Sequence, residues 1–474
     1  MPGTMSMPDS PSRRDVLKLA AGAAVLPFTG QPRASRRVIV AGGGIGGLCC
    51  GYELMRRGHD VVVLEASSRT GGHVRTVRKG LADGLYVDAG AEQFTQPGYE
   101  RYWEYVREFD LPYLYYPRRE RILQWIGGRM YSPEMLADPR VLTSFGFNGR
   151  EIQTIVRTTL RELPWLYYQP YLDRFKDEYR PFDAGLDHLD ALTQSEFLKQ
   201  EGASPAAIGW FGGDGSALQG LWYAAILKKR GVPLFPPKVF RLVGGNERLP
   251  DTFAARLGDR VRLDSPVTRI EHGSTGVRVH CGAKSASRVE EADFLVCAMS
   301  APMLSRIDVS PAWPPEKAWA LSRVPYYFDT RVILQSKTRF WTREGISPNM
   351  EFNDPALVHA WSTGEEVDTP RGLIVGTASG AGSPEAALRV FRAHYPGKLE
   401  DIEHADVHVW AADPWASACE RTDYRPGELK KFWPVLIEPH GRVHFVGAYA
   451  DNLNWGMEAA TRSANRVAEA IHNS

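Results

Sequence analysis

The chain has 474 residues, a length that corresponds to roughly two to four domains. Its residues are 43% hydrophobic and 24% charged, which is ordinary for a globular protein. A formal net charge of +1 gives no indication of a nucleic-acid partner or a polybasic membrane surface. The five cysteines are an odd number in a long chain, so they imply no disulfide framework, and their spacing indicates no metal site.

Residues 1–35 are interpreted as a targeting signal and linker. Arg13 and Arg14 precede a short apolar run from Leu19 to Phe28. This pattern is typical of a twin-arginine (Tat) signal, and the run is too short and too rich in Ala and Gly for a membrane span. We therefore predict that the Tat export machinery delivers the folded protein to the periplasm or the cell exterior.

A β-α-β unit follows the predicted signal. Residues 37–41 form an apolar strand pattern, residues 46–57 a helical pattern, and residues 61–64 a second apolar strand. Continuous apolar strands of this kind are typical of a parallel sheet that is covered on both faces. The sequence thus predicts an α/β fold built around a parallel sheet.

The turn between the first strand and the helix is a glycine cluster. Gly42, Gly44 and Gly47 fit the pattern G-x-G-x-x-G, and Gly46 lies among them. Such glycines permit a tight turn and let a pyrophosphate approach the N-terminus of the helix. Glu65 ends the second strand, near the position where an acid binds ribose hydroxyls. The order of these features predicts a nucleotide cofactor, either NAD or FAD.

The segment after Glu65 favours FAD. Arg69, Gly71, Gly72 and His73 make a second glycine turn with basic flanks, suited to an anionic group. NAD dehydrogenases do not usually carry such a segment. With Glu65 and Ala66 before it and Arg75-Thr76 after it, this segment resembles the flavin-containing amine oxidase superfamily, which includes monoamine, polyamine and L-amino-acid oxidases and related desaturases.

The resemblance extends to Asp88–Ala91, Gly244–Pro250, Arg442–Gly447 and Asn454–Ala460. It implies bound FAD and adds cofactor-binding residues beyond the glycine cluster and Glu65. The residues assigned in this way are Ala66, Arg69, Gly71, Gly72, His73, Gly90, Ala91, Val267, Gly447, Gly456 and Met457. His73 stands where relatives usually carry an arginine.

The predicted fold is a Rossmann-type FAD-binding domain with a parallel sheet, plus a discontinuous α+β substrate domain with a helical insertion. The FAD-binding domain comprises residues 36–95, 236–305 and 425–474, and the substrate domain residues 96–235 and 306–424. Residues from about 100 to 230 are predicted to be mostly helical. Strand patterns at 331–335 and 373–376 indicate another sheet, and residues 461–471 a surface helix.

Two residues are candidates for the catalytic site. The resemblance places Trp455 as an aromatic wall of the substrate pocket, with Trp415 as a weaker candidate. Arg331 stands where relatives commonly have a lysine that holds a water against the flavin. Arginine stays protonated, so either Arg331 modifies that role, or the alignment is shifted, or the protein is not an efficient oxidase. The alternative is an arginine on a surface strand.

One cysteine lies at a notable position. Cys419 falls near the place where some monoamine oxidases attach the flavin covalently. Its neighbours match that pattern only loosely, so we expect a bystander thiol.

The leading functional prediction is an FAD-dependent oxidoreductase that oxidises the C–N bond of an amine to an imine by hydride transfer to flavin. Molecular oxygen is a candidate electron acceptor. Glu92 and Gln93 stand where L-amino-acid oxidases tend to place a carboxylate-binding arginine, which favours an amine over a free amino acid. The alternatives are an FAD-dependent desaturase or isomerase acting on C–C bonds, and a non-catalytic FAD-binding protein. The sequence indicates no oligomeric state.

Overall fold

The computed structural model describes residues 34–282, 287–418 and 421–474. Arg13, Arg14 and the rest of the predicted Tat signal up to residue 33 lie outside the described residues. Cys419 lies outside them as well. Export and the bystander role of this thiol therefore stay predictions.

The described residues form the following helices and strands. The helices are α1 (Ile45–Arg56), α2 (Glu100–Glu108), α3 (Pro139–Phe145), α4 (Gly149–Arg157), α5 (Trp165–Leu172), α6 (Gln194–Gln200), α7 (Pro205–Phe211), α8 (Ala217–Lys229), α9 (Arg248–Leu257), α10 (Ala301–Leu304), α11 (Pro315–Arg323), α12 (Phe340–Glu344), α13 (Pro384–His394), α14 (Leu429–Phe432) and α15 (Gly456–His472). The strands are β1 (Arg37–Ala41), β2 (Asp60–Leu64), β3 (Thr76–Val77), β4 (Val87–Asp88), β5 (Phe94–Thr95), β6 (Tyr113–Tyr115), β7 (Leu123–Ile126), β8 (Arg129–Tyr131), β9 (Val239–Leu242), β10 (Val261–Arg262), β11 (Val267–His272), β12 (Val277–Cys281), β13 (Arg288–Ala292), β14 (Phe294–Cys297), β15 (Asp308–Ser310), β16 (Asp329–Ser336), β17 (Met350–Asp354), β18 (Leu357–Thr363), β19 (Gly372–Ser379), β20 (Ile402–Val409) and β21 (Val443–Phe445).

Five strands form the parallel sheet that the sequence predicts. Their order is β10-β2-β1-β14-β21, and every neighbouring pair is parallel. Val38, Ile39 and Val40 in β1 are fully buried, as expected for a strand covered on both faces. Helix α1 joins β1 to β2, so the predicted β-α-β unit is confirmed.

Helix α15 differs from the prediction of a surface helix over residues 461–471. Thr461, Ala464, Ala468 and Ile471 are fully buried, and the helix packs against α1. The small alanine side chains permit this close approach. The sequence shows an apolar face on this helix, but only the fold shows that α1 covers that face.

The other strands form four more sheets. The largest has the order β20-β16-β19-β18-β17-β7-β8, and β16 lies inside it with antiparallel neighbours on both sides. A four-stranded sheet has the order β13-β12-β11-β15, and two small sheets are β3-β4 and β5-β9-β6. The mixed α/β fold class is therefore confirmed, whereas the division into two discontinuous domains stays a prediction.

The segment from residue 100 to 230 is mostly helical, but it also contains strands that the sequence analysis missed. β7 pairs in parallel with β17 of the largest sheet, and β6 pairs with β9. These strands have three or four residues, too few for a clear alternation of side chains. Within the described ranges no helix combines the length and apolar character needed to cross a bilayer.

Candidate active site

A cavity of about 760 Å³ lies beside the carboxyl ends of the central strands. Its lining includes Gly42, Glu65 and Ala298, which directly follow β1, β2 and β14. We call it the large cavity. Ligands of open α/β sheets bind at this edge, so its position suits a nucleotide.

The glycine cluster shapes one wall of the large cavity. Gly42 has a φ of +115°, and a Cβ there would lie 2.9 Å from the backbone carbonyl carbon and oxygen of Ala298. A Cβ on Gly47 would lie 2.0 Å from the Gly42 oxygen. By contrast, a Cβ on Gly44 would meet only the Gly72 Cα, at 4.0 Å. Gly42 and Gly47 thus keep the turn tight, whereas Gly44 leaves open space at the N-terminus of α1, where backbone N–H groups favour an anion.

Glu65 is buried and holds the same loop. Its Oε2 accepts a hydrogen bond from Gly43 N at 2.6 Å, and its Oε1 accepts one from Ser67 N at 2.8 Å. A carboxylate can accept about four hydrogen bonds, so both oxygens keep capacity for hydroxyl donors. This arrangement suits the predicted contact with a ribose.

The second glycine turn lies against the first. Gly71 has a φ of +94°, and its N–H donates to Gly43 O at 2.9 Å. Arg69 Nη1 donates to Gly72 O at 2.9 Å, and Arg69 Nη2 lies 3.5 Å from Asp413 Oδ2. Arg69 and Gly72 both line the large cavity, so the turn presents a cation to it.

His73 also lines the large cavity, but it does not supply the positive charge that the sequence suggested. Its ring stacks on Trp410 with the centroids 3.8 Å apart. Burial lowers the pKa of His73 to about 3, so the imidazole is neutral at physiological pH. Its Nε2 is buried and has no hydrogen-bond partner among the described residues, and the same holds for Oγ of Ser300, another lining residue.

These observations fit FAD. An open glycine turn and a helix N-terminus suit the pyrophosphate, and Glu65 suits a ribose. Two buried polar atoms on lining residues lack partners that a polar ligand would supply. Ala66 and Val267 complete the predicted residues that line the large cavity.

Several residues of the large cavity were not predicted. Met299, Met303 and Arg306 line it from the segment that follows β14. The signal that could have found them is their position after a central strand, because such segments meet at one sheet edge.

Eight predicted cofactor residues do not line the large cavity. Gly46 and Gly47 lie in α1 against Val446 and Ala298, where their missing side chains permit close packing. The lack of a Cβ on Gly90 lets it approach His73 O and Trp410. The full set is Gly46, Gly47, Gly71, Gly90, Ala91, Gly447, Gly456 and Met457, and their direct contact with FAD stays a prediction.

Arg331 is 6% exposed on β16, so its interpretation as a surface arginine is wrong. Its Nε donates to Ala89 O at 3.3 Å and its Nη2 to Gly90 O at 3.0 Å. Its Nη1 lies 3.4 Å from Oε2 of Glu92. The guanidinium is thus fixed against the segment that resembles the flavin-side motif, and its catalytic role stays a prediction.

The two tryptophans occupy different surroundings. Trp455 stacks on Tyr99 with the centroids 5.5 Å apart, and its Nε1 donates to the Tyr223 hydroxyl. Trp415 lines the large cavity and is 45% exposed. Trp415 therefore lies on the cofactor side, and the role of Trp455 as a wall of the substrate pocket stays a prediction.

Known proteins share this fold. Cyclohexylamine oxidase from Brevibacterium oxydans IH-35A has a similar fold, with a TM-score of 0.75 at 22% identity over 93% of this chain and 99% of that one. A putrescine oxidase solved with putrescine bound gives a TM-score of 0.75 at 19% identity over 93% and 100% of the two chains. L-amino-acid oxidase from Pseudechis australis is 25% identical over 470 residues, which are 92% of this chain and 87% of that protein.

Fold and site define an FAD-dependent oxidoreductase. The sequence profile described as flavin containing amine oxidoreductase matches residues 45–472. The chain therefore belongs to the flavin-containing amine oxidoreductase family.

Proposed function

We propose that this protein oxidises the C–N bond of a small-molecule amine to an imine. The observation that carries this proposal is the family match over residues 45–472, on a chain whose glycine turns and Glu65 surround one large cavity. FAD, when bound, supplies the hydride acceptor. Relatives named as oxidases of cyclohexylamine, putrescine and L-amino acids support C–N bonds as the target.

The residues of this chain would bind the FAD and fix its orientation. The N-terminus of α1 and Arg69 would hold the pyrophosphate, and Glu65 would accept hydrogen bonds from ribose hydroxyls. His73 would present a neutral ring nitrogen where relatives usually present a cation.

Arg331 would orient a neighbouring group on the side of the site where the substrate binds. A guanidinium keeps its proton, so Arg331 orients a neighbouring group and does not take a proton from the amine. Its bonds to Ala89 O and Gly90 O hold it in place, and the Glu92 carboxylate balances its charge.

The test is anaerobic reduction of the bound flavin, followed as loss of the oxidised flavin absorbance in purified protein. Primary amines, amino acids and unsaturated non-amines are added separately, and each amine is matched by the alcohol of the same carbon skeleton. Bleaching by an amine but not by its alcohol is the expected result. Bleaching only by unsaturated non-amines would overturn the proposal in favour of C–C desaturation, and a flavin that none of them reduces would favour a non-catalytic FAD-binding protein.

Readmitting air tests molecular oxygen as electron acceptor. We propose oxygen on the resemblance to oxidases alone. Rapid return of the flavin absorbance with formation of hydrogen peroxide is expected. A flavin that stays reduced in air for minutes would identify a dehydrogenase instead.

We also propose export through the Tat machinery to the periplasm or outside the cell, supported by Arg13 and Arg14 before the apolar run. The R13K/R14K variant of the full chain is expected to remain in the cytoplasmic fraction of a Tat-competent bacterial host. The matched control is R36K/R37K, which changes a second arginine pair after the signal. Equal export of R13K/R14K and the unchanged protein would contradict the proposal.

A further inference from the structure

A second, smaller cavity of about 180 Å³ is lined by three guanidinium groups. We call it the arginine pocket. Its defining residues are Gln93, Arg118, Arg119, Arg161, Phe235 and Trp361.

The fold holds these arginines in place from two directions. Arg118 and Arg119 lie on the 3-10 turn Pro117–Arg119, and Asn349 Nδ2 fastens this turn by donating to Pro117 O at 3.0 Å and to Glu120 O at 2.7 Å. Arg161 comes from the helical insertion. The backbone that carries Arg118 and Arg119 is therefore fixed before a ligand binds, which lowers the entropy cost of binding.

Phe235 lies beside two of the cations. The Arg119 and Arg161 guanidinium carbons lie 4.4 and 4.3 Å from the centroid of its ring. Arg119 Nη1 also donates to Pro236 O at 2.7 Å. The aromatic face supports two like charges close together.

The carboxylates near the arginine pocket do not balance its arginines. Arg118 pairs with Glu92, and Arg161 pairs with Glu351. Among the described residues no carboxylate lies within 4.0 Å of the Arg119 guanidinium. Arg119 is thus a surplus cation.

The surroundings of Arg119 make this charge costly. Burial, with repulsion from Arg118 and Arg161, lowers the pKa of Arg119 to about 10. The arginine remains protonated at neutral pH, and a largely buried cation without a carboxylate partner is stabilised when an anion binds. Burial also lowers the pKa of His359 in the lining, so this imidazole adds no further charge at neutral pH.

Direct contacts connect the arginine pocket to Arg331, the predicted catalytic residue. The Arg118 and Arg331 guanidinium carbons lie 3.7 and 5.2 Å from the Trp361 ring centroid, and Glu92 pairs with both arginines. Arg331 in turn donates to Ala89 O, which also accepts a hydrogen bond from Trp410 Nε1 at 2.9 Å.

We infer that the arginine pocket binds a carboxylate of the substrate, with Arg119 as the principal cation. This inference rests on the proposed amine oxidation, because it narrows the substrate class to amines that also carry a carboxylate. A guanidinium fork matches the two oxygens of a carboxylate, which a point charge does not. Gln93 also lines this pocket and adds an uncharged polar group beside Arg119.

The first experiment measures binding without turnover. Benzoate and acetate, with benzamide and acetamide as neutral counterparts, are titrated into the FAD-loaded protein by calorimetry and by the shift of the flavin spectrum. At least one carboxylate is expected to bind tenfold or more tightly than its amide. Equal affinities of acids and amides would overturn the inference.

Variants then assign the binding to Arg119. Arg119→Met is expected to weaken carboxylate binding at least tenfold, and Arg119→Lys to weaken it less, because the charge remains and the fork is lost. Arg157→Met removes an exposed arginine of α4 and is the matched control, with unchanged affinity expected. FAD content and thermal unfolding verify that each variant is folded. Unchanged affinity in a folded Arg119→Met protein would contradict the assignment.

The second experiment compares amines that differ only in a carboxylate: phenethylamine with phenylalanine, tryptamine with tryptophan, and pentane-1,5-diamine with lysine. Arg119→Met is expected to raise KM at least tenfold more for the acids than for the corresponding plain amines. If the plain amines reduce the flavin and carboxylates neither bind nor react, this inference fails and the proposed function stands. If carboxylates bind through Arg119 but no amine reduces the flavin, the proposed function fails and the binding site stands.

Discussion

Arg331 and Glu92 form a buried ion pair, with Nη1 3.4 Å from Oε2 and both side chains 7% exposed. Glu92 lies between two arginines, because Arg118 pairs with its other carboxylate oxygen. The guanidinium of Arg331 therefore belongs to a charge network that joins the Ala89–Gly90 segment to the arginine pocket.

Removing Arg331 tests how much this ion pair contributes to the stability of the folded protein. Arg331→Met leaves Glu92 with one partner and removes donors from Ala89 O and Gly90 O. We expect a loss of about 3 kcal/mol in the free energy of unfolding, the low end for a broken buried pair. Urea unfolding provides the measurement. Arg37→Met, which breaks a pair whose arginine is 48% exposed, is expected to cost less than about 1 kcal/mol. Similar losses in the two variants would contradict the prediction.

The open space at Gly44 predicts a defect in cofactor binding without a folding defect. A Cβ there meets nothing closer than 4.0 Å, and Gly44 has a φ of −69°, which any residue adopts. Gly44→Ala should therefore leave the unfolding midpoint of the cofactor-free protein unchanged. It should raise the dissociation constant of FAD about tenfold or more, because the backbone must approach a pyrophosphate closely.

Gly209→Ala is the matched control for this variant. Gly209 lies in α7 with open space around its Cα, so alanine there should add about 0.5–1 kcal/mol of stability and leave FAD affinity unchanged. The prediction fails if Gly44→Ala retains FAD as tightly as Gly209→Ala does.

The neutral state of His73 predicts a pH dependence. Its pKa falls from an ordinary value near 6.5 to about 3 on burial, so between these values the unfolded chain binds a proton that the folded chain does not. Stability therefore falls as pH decreases through this window. His73→Gln has no titrating group at this position. The difference in the free energy of unfolding between the unchanged protein and this variant should therefore fall by about 1.4 kcal/mol per pH unit below pH 6.

The measurement is urea unfolding of both cofactor-free proteins at pH 7, 6 and 5. Buried groups common to the two proteins cancel in the difference. A difference that stays constant from pH 7 to pH 5 would show that the imidazole is not held neutral.

The two tryptophans predict separate defects. Trp415 lines the large cavity, so Trp415→Ala should weaken FAD binding by several fold. Trp455 contacts Tyr99 and Tyr223 instead, so Trp455→Ala should lower kcat/KM for the reactive amine about tenfold with unchanged FAD content. Fluorescence titration with FAD and steady-state kinetics measure the two effects. The prediction is wrong if Trp455→Ala weakens FAD binding and Trp415→Ala lowers only kcat/KM.

Part of the lining of the large cavity was predictable because most of those residues are close together in the sequence. Gly42 to Gly47 lie within the β-α-β unit, and Glu65 to His73 directly follow its second strand. Eight of the sixteen predicted cofactor residues line the large cavity. The arginine pocket was not predictable. Arg118 and Arg161 lie in short 3-10 turns without periodicity, and Trp361 comes from a sheet more than 190 residues further along the chain. Only tertiary structure brings such distant segments together.

The pairing of β7 with β17 and the bonds from Asn349 to the Pro117–Arg119 turn have an evolutionary consequence. They place Arg118 and Arg119 on a part of the chain that is anchored to the largest sheet. Arg161 instead belongs to the long excursion between β8 and β9. Sequence changes in that excursion can thus alter the shape of the arginine pocket around the proposed substrate carboxylate while Arg119 keeps its position. New substrate specificities can therefore arise from changes in one segment of the chain.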